Sequence, residues 1–474
     1  MFNAEEFEDF KSLSVAMTED IDALLTAHLD KGPRQEDLTF AYWRPSVGND
    51  RFTAIINEIV LPRDGERVLD GNVSFVGSYL ERVLASAPPG AGLALLHSHL
   101  GPGWQGMSDD DVFAEQTRLG GPAAGRTGLP VLGLTRATDG AWSARIWVRV
   151  GRGRYERRDC TSVRVVGRRL RTTFHPRLAP LQGALPAQVA TASVWGDEAQ
   201  ADIARTHVGI VGLGSVGSIV GESLARMGVA RITLIDHDVI EERNLDRTLG
   251  ATRSDLGRFK VDVSKRQLDA SSTASRPDIQ TVAASVLTPA GLEAILACDV
   301  LISCVDRPWP RFLLNAVSYA HLIPVIDGGI IAQVDAHGRL LHVTWSVHTV
   351  GPSRKCLYCL GAQRRSDVSL DREGLLDDPE YIKGLSKAER EQHARRNVFA
   401  FSLSVASHET LQFAGLVSGL QRVSGVGPQR YNAYPGSMDV STTEPCLEDC
   451  EFTQLTATAV DMTINLAPSG PKIR

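Results

Sequence analysis

The chain has 474 residues, too many for one ordinary core, so two or three domains are expected. Apolar residues make up 43% and charged residues 22%, the balance of a globular protein in water, and a net charge of −6 argues against nucleic acid as a partner. The acidic start "MFNAEEFEDF" lacks the basic and apolar regions of a secretory signal, and no apolar run reaches bilayer length, so a cytoplasmic protein with no membrane partner is expected.

In chain order, residues 12–30 read as a helix with Val15, Ile21, Leu24, Leu25 and His28 on or near one face. "DLTFAYW" and "FTAIINEIV" read as strands, "GSYLERVLASA" as a helix stopped by Pro88-Pro89-Gly90, and "GLALLHSHL" as a buried strand. "LPVLGLTRA" and "AWSARIWVRV" alternate like the arms of a hairpin. An arginine-rich stretch from residue 151 and the proline-spaced "HPRLAPLQGALPAQ" mark a boundary. This gives domains at 1–165 and 196–474 with 166–195 as linker; the alternative is one large domain with a decorated loop. Beyond it "HVGIVG", "LGSVGSIVGESLARMG" and "ARITLID" spell strand, glycine turn, helix and strand, a βαβ unit of a parallel sheet.

The segment "LLHSHLGPGWQGMSDDD" holds the first candidate site. Residues two apart on a strand share a face, so His97 and His99 can hold one ion. Ser108 is a good N-cap, and a helix start there would deliver the Asp111 carboxylate. Two imidazoles and a carboxylate are a catalytic zinc set with one position open. The bland alternative is an ordinary cap beside two surface histidines.

This order resembles the JAMM (JAB/MPN) metallopeptidases, over about residues 10–150: H-x-H, a short loop, then S-x-x-D. The resemblance implies an α+β domain and a Zn2+-dependent cut after the C-terminal glycine of a ubiquitin-like protein. It further implies a glutamate as general acid and base, and a serine, here Ser108, that steadies the tetrahedral oxyanion. Glu36, just before "DLTFAYW", fits the glutamate's place, and Glu58 in "IINEIVLP" is the rival.

"GIVGLGSVGS" sets Gly212, Gly214 and Gly217 in a G-x-G-x-x-G frame that lets phosphates approach backbone and helix N-terminus. A dehydrogenase would show the same frame and an acid such as Asp236 after the next strand. The segment "LIDHDVIEERNLDRTLGATRSDLGRFKVD" discriminates. It resembles the ThiF/MoeB-like adenylyltransferases, the core of ubiquitin-activating enzymes, and the likeness covers about residues 195–465. Their D-x-D, N-L-x-R and G-x-x-K are matched by Asp236, Asp238, Asn244, Leu245, Arg247, Gly257 and Lys260. A buried strand expected to end at Asp306, then Arg311, Asn315 and "PVIDGG", continue the match.

The resemblance implies a Rossmann-like domain that uses ATP and Mg2+ to adenylate the C-terminal glycine of a ubiquitin-like or sulfur-carrier protein. In it Asp236 holds the ribose, Asn244, Arg247 and Lys260 surround the triphosphate, and Asp306 binds Mg2+. It also implies a homodimer and raises a conjugating enzyme as a further partner. The family's arginine-bearing segment ahead of the first strand is missing, since "ALPAQVATASVW" has no arginine.

Cys356 and Cys359 in "CLYC", with Cys446 and Cys450 in "CLEDC", form two close pairs, which in a reducing compartment suggest a structural Zn2+ rather than disulfides. The second pair is one residue wider than the family's C-x-x-C. Activating enzymes that form a thioester carry that cysteine after the first pair, where this chain has none before residue 397. An adenylate passed directly to a partner, or to a hydroxyl such as Ser366 or Ser369, is therefore expected. Three functions remain open: an activating enzyme fused to a peptidase in a ubiquitin-like pathway, the same pair serving a sulfur carrier, and a nucleotide-binding scaffold.

Overall fold

A computed structural model describes residues 7–32, 34–70, 72–335, 337–385, 397–419 and 426–461. They divide into two compact units, one of residues 1–182 with 456–459, the other of 183–455 with 460–474.

The first unit is built on a nine-stranded sheet ordered β11-β10-β1-β3-β2-β6-β7-β8-β9. Its strands are β1 (Ser12–Thr18), β2 (Leu38–Val47), β3 (Arg51–Val60), β6 (Gly92–Ser98), β7 (Val131–Arg136), β8 (Trp142–Gly151), β9 (Arg154–Asp159), β10 (Ser162–Val166) and β11 (Leu170–Phe174). A two-stranded insert, β4 (Arg67–Asp70) and β5 (Asn72–Phe75), stands apart. Each face of the large sheet buries its own apolar layer. Alternation along the strands sorts Val15, Met17, Trp43, Ile56, Leu96 and Leu134 to one layer, and Phe40, Tyr42, Leu93, Leu95, Val131 and Trp147 to the other. Helix α1 (Glu19–Leu29) sends Leu25 and Leu29 into the first layer; α2 (Gly77–Ala85) sends Tyr79 and Val83 into the second, and α3 (Asp109–Val112) and α4 (Gly120–Thr127) follow β6.

The expected helix over 12–30 begins only at Glu19. Ser12–Thr18 is an interior strand, paired in parallel with both β3 and β10, and this pairing overrides any helical periodicity. Thr18 ends it and caps α1, its hydroxyl accepting from Ile21 N at 3.2 Å. Part of the expected linker is also ordered: β11 pairs with β10 inside the first sheet, and α5 (Val189–Trp195) is helical.

The second unit carries an eight-stranded sheet, β14-β13-β12-β15-β16-β17-β18-β19. Strands β12 (His207–Val211), β13 (Arg231–Ile235), β14 (Asp278–Val282), β15 (Val300–Ser303) and β16 (Val325–Val334) run parallel. Strands β17 (Leu340–Val350), β18 (Val426–Asn432) and β19 (Ser437–Thr442) extend it antiparallel. Strands β12, β13 and β15 read as near-continuous apolar runs because helices cover both faces, while the edge strand β14 is only partly buried. Those helices include α6 (Asp197–Arg205), α7 (Gly217–Arg226), α8 (Lys260–Ser271), α9 (Pro289–Leu296), α10 (Pro308–Ala320) and the 20-residue α11 (Phe399–Ser418). The order reverses at β12, with β13 on one side and β15 on the other, so the crevice past their carboxyl ends is the expected ligand position. β15 stops at Ser303, three residues before Asp306, which puts that carboxylate on the loop over this crevice rather than at a strand end. Among the described residues no helix is long and apolar enough to cross a membrane.

Candidate functional sites

His97 stands on β6 two residues after Leu95, so it continues the second apolar layer and is itself 4% exposed. His99 follows just past the strand, its backbone N–H held by the Arg136 carbonyl. Asp111 comes from the short helix at Asp109–Val112, where Ser108 and Asp111 cap each other: Asp111 N donates to Ser108 Oγ at 3.2 Å and Ser108 N to Asp111 Oδ2 at 2.8 Å. The three side chains converge. His97 Nε2 lies 3.1 Å from His99 Nε2 and 3.2 Å from Asp111 Oδ1, and His99 Nε2 lies 3.2 Å from Asp111 Oδ2.

Ligand atoms bonded tetrahedrally to zinc at about 2.0–2.1 Å stand about 3.3 Å apart, so the set fits a Zn2+. Burial works against the Asp111 charge, but hydrogen bonds from both imidazoles hold its carboxyl well below the usual range.

The register separates the two glutamate candidates. Leu38 lies directly opposite His97, so Glu36, two residues earlier on the same face, falls beside the histidines. Burial raises its pKa, while the charges of His99 and His97 lower it and that of Asp111 raises it. Glu58 is paired with Tyr42, four residues along β2 from Leu38, about 13 Å away at roughly 3.3 Å per residue, and is exposed. Ser108 is also exposed, and its hydroxyl serves the helix cap.

Sequence reading passed over a polar cluster beside this site. Glu115, on the π-helical turn Phe113–Leu119, accepts from Arg145 and, at 2.7 Å, from Trp147 Nε1; Arg145 Nη1 also donates to Thr135 Oγ1 at 2.5 Å. A signal was present: a glycine, a hydroxyl and an arginine interrupt the apolar face of β7 and β8 at Gly133, Thr135 and Arg145.

In the second unit the glycine turn joins β12 to α7. Gly212 has φ +90°, and a Cβ there would lie 2.8 Å from the Cys304 carbonyl oxygen; a Cβ on Gly217 would lie 1.9 Å from the Gly212 oxygen. A Cβ on Gly214 would meet nothing within 4 Å. Two glycines therefore serve close packing, while the middle one leaves open space over the turn, the cradle a phosphate chain requires.

Asp236, at the end of β13, accepts from Leu213 N at 2.7 Å and from Asp238 N at 2.8 Å, locking it against the turn. Lys260, the first residue of α8, is 9% exposed, bonds Asp238 Oδ2 at 2.7 Å and lies 3.9 Å from Asp236 Oδ2. A nearly buried lysine held by two acids beside an open glycine turn is a cation a phosphate could recruit. The structure thus gathers Asp236, Asp238, Lys260 and the three glycines.

Asn244 and Arg247 lie on the next turn with local partners. Asn244 Oδ1 accepts from Glu241 N at 2.9 Å, and Arg247 Nη1 donates to the Arg243 carbonyl at 2.7 Å and pairs with Asp246. Asp306 is exposed on the loop after β15, and the same loop's Cys304 carbonyl abuts Gly212. Sequence reading gave no role to Asp327 of "PVIDGG". Buried beside Ser303 Oγ at 2.9 Å, it forms an ion pair with Arg311, whose charge is also held by Asp306.

The four paired cysteines meet, their sulfurs all within 4.8 Å of one another and Cys356 Sγ 3.6 Å from Cys450 Sγ. Sulfurs around a tetrahedral zinc at about 2.3 Å would be about 3.8 Å apart, so the extra residue in "CLEDC" does not prevent a site of four thiolates. Hydrogen bonds from Cys356 and from the Tyr319 hydroxyl draw the Cys446 thiol down to about 5, although burial opposes it. The remaining thiols are packing: Cys160 and Cys298 are buried, and burial with the neighbouring Glu409 charge pushes Cys304 well up.

Comparison with known proteins bears on the second unit. Over 148 residues the chain is 31% identical to a tRNA threonylcarbamoyladenosine dehydratase of Escherichia coli, covering 31% of this chain and 54% of that one. Over 163 residues it is 28% identical to a sulfur carrier protein adenylyltransferase of Thermus thermophilus, covering 34% and 59%. The chain spans about half the length of the curated relatives it matches. A crystal structure of Escherichia coli MccB with ATP aligns at 16% identity and a TM-score of 0.43, over 57% of this chain and 74% of that one. The ThiF family model matches residues 186–445, more than half of the chain, and the protein therefore belongs to the ThiF family.

Proposed function

We propose that the protein is an enzyme with two active sites acting on one substrate tail. The ThiF unit joins the C-terminal glycine carboxylate of a ubiquitin-like or sulfur-carrier protein to AMP. The first unit hydrolyses the bond beyond that glycine.

The observation that carries the adenylation reading is Lys260 beside Asp236 and Asp238 at the open glycine turn. In adenylation a carboxylate oxygen attacks the α-phosphorus of ATP and pyrophosphate leaves. Both reactants are anions, so the step needs fixed positive charge, which a hydride transfer does not. Lys260 would exchange an acid partner for phosphate, Asp236 would hold the ribose, and Asp306 would hold Mg2+ at the mouth of the crevice. The match to ThiF proteins, among them an adenylyltransferase for a sulfur carrier, supports this reading.

In the first unit His97, His99 and Asp111 would hold Zn2+, a Lewis acid that acidifies water and polarises a carbonyl. Glu36, beside the two imidazoles, would take the water's proton and return it to the leaving amine. Cys356, Cys359, Cys446 and Cys450 would hold a structural Zn2+. Cys160 and Cys298 are buried, and the partly exposed Cys304 has its thiol pushed up by burial and the Glu409 charge, which favours transfer of the adenylate without a thioester in this chain.

The reading that the carrier is a sulfur donor keeps the same chemistry, and a thiocarboxylate terminus on the carrier without lysine-linked conjugates would select it. The test is ATP–pyrophosphate exchange with the small proteins encoded beside this gene. Exchange that needs a free C-terminal glycine supports the proposal, and none with any of them refutes the adenylation half.

A further inference from the structure

Inside the G-x-G-x-x-G frame the residue after Gly214 is Ser215, which puts a hydroxyl on the turn itself. The residue is half-buried, and its Oγ meets Asn397 Nδ2 at 2.7 Å, a partner 182 positions further along the chain.

Asn397 precedes α11, and both ends of its carboxamide are held. Oδ1 accepts from Val398 N at 2.7 Å, which assigns the amide nitrogen to the opposite side. Nδ2 donates to Ser215 Oγ and, at 2.9 Å, to Ser402 Oγ, which is fully buried in the first turn of α11. Both amide hydrogens are thereby used, and one orientation of the side chain satisfies all three neighbours.

An amide nitrogen can only donate, so Ser215 Oγ accepts from it and keeps its own hydrogen for another acceptor. Among the described residues the hydroxyl has no second partner. Next to it is Gly214, where a Cβ would meet nothing within 4 Å, and Asp236 reaches the same turn through Leu213 N with Lys260 beside it. A simple tie between α11 and the turn would serve with the hydrogen bond in either direction. The carboxamide enforces the direction that leaves the serine as a donor at the open side of the turn.

We propose that Ser215 is a phosphate-binding residue of the nucleotide site, and that Asn397 is a positioning residue that aims its hydroxyl hydrogen at the phosphate chain of ATP. The proposal rests on the reading of the glycine turn as an ATP site. A hydroxyl facing a phosphate oxygen makes a charge-assisted bond, stronger than one between neutral groups.

The experiment is calorimetric titration of the full chain with ATP and, separately, with adenosine, which has no phosphates. Ser215→Ala should bind ATP about 10–150-fold more weakly and adenosine as the parent does. Ser215→Thr keeps the hydroxyl and should bind ATP close to the parent. Asn397→Asp puts an acceptor where the amide donated, so it would take the Ser215 hydrogen itself and should weaken ATP binding at least as much as Ser215→Ala. Asn397→Ala should weaken ATP binding less, and should add nothing once Ser215 is alanine. Parent-like ATP affinity in Ser215→Ala, or equal losses for ATP and adenosine, would overturn the proposal and leave the adenylation reading intact. Additive losses in the double alanine variant would overturn the role of Asn397. If the unaltered protein binds no ATP, the proposal and the adenylation reading both fall. Should Asn397→Asp not fold, the alanine pair decides the same question.

Discussion

Alanine at Gly214 and at Gly217 should have opposite consequences, and the contrast tests whether the glycine turn is a phosphate cradle. At Gly217 the new Cβ would lie 1.9 Å from the Gly212 carbonyl oxygen and 3.0 Å from its carbon. Carbon contacts settle at about 3.5–4.0 Å, so the start of α7 must move by more than about 1 Å against buried Ile219, Val220 and Leu224. Overpacking of this kind costs about 1–3 kcal/mol, a fall in Tm of about 2–4 °C for each kcal/mol in a unit of this size.

At Gly214 the Cβ meets nothing within 4 Å and the backbone is not in the left-handed region, so stability should change by less than about 0.5 kcal/mol. The methyl would instead occupy the space a phosphate needs. Losing one charge-assisted hydrogen bond from backbone N–H costs about 1.5–3 kcal/mol, or about 10–150-fold in ATP affinity. Differential scanning calorimetry and ATP titration of both variants read the two effects separately. A Gly214→Ala protein of normal stability that binds ATP as tightly as the parent would refute the assignment of phosphates to this turn. A Gly217→Ala protein that melts normally would refute the packing account.

Three further outcomes are expected. His97→Ala should abolish hydrolysis of a carrier–peptide fusion and spare pyrophosphate exchange, while Asp306→Ala should do the reverse; loss of both activities in either folded variant defeats the two-site reading. Cys446→Ser should lower bound zinc by one equivalent by atomic absorption and leave the equivalent that His97→Ala removes. Glu66 is held down to about 2 by hydrogen bonds from Arg82, against some burial, and by the Arg63 N–H. A carboxyl whose pKa is lower folded than unfolded stabilises fully above the unfolded value near 4.5, and the contribution is lost as pH falls through about 2. Urea melts of Glu66→Gln should therefore lack part of the parent's loss of stability between those values.

How much could be read in advance depends on which interactions are local. The βαβ opening of the second unit was legible because its signals lie within a few residues: an apolar strand, three glycines at fixed offsets, an amphipathic helix. Strands β2, β3, β7 and β8 were legible by alternation and β-branched content, and β6 by its short continuous apolar run. β1 was not, since "SLSVAMT" carries no strong preference and becomes a strand through pairing with β3 and with β10, almost 150 residues away (Ser14 opposite Ser162). β11 was hidden for another reason: its partner β10 is only a short turn away, but its arginine and threonines read as connector.

The candidate sites divide along the same line. His97, His99, Ser108 and Asp111 fall in one short segment, where spacing groups them, while Asp236, Asp238 and Lys260 in another were grouped by the resemblance to the adenylyltransferases. Choosing Glu36 over Glu58 required the family likeness, because both precede or occupy apolar strands. Geometry supplies a separate reason: Leu38 opposite His97 places one beside the imidazoles and leaves the other a whole strand segment away. Thr135, Arg145 and Glu115 come from two strands and a π-helical turn, and none matches a motif. What a sequence can show is the interruption itself: a glycine, a hydroxyl and a charge where an apolar layer should continue. Here the interruption is offset within the cluster itself, where Glu115 accepts from Arg145 and Trp147 and Arg145 donates to Thr135.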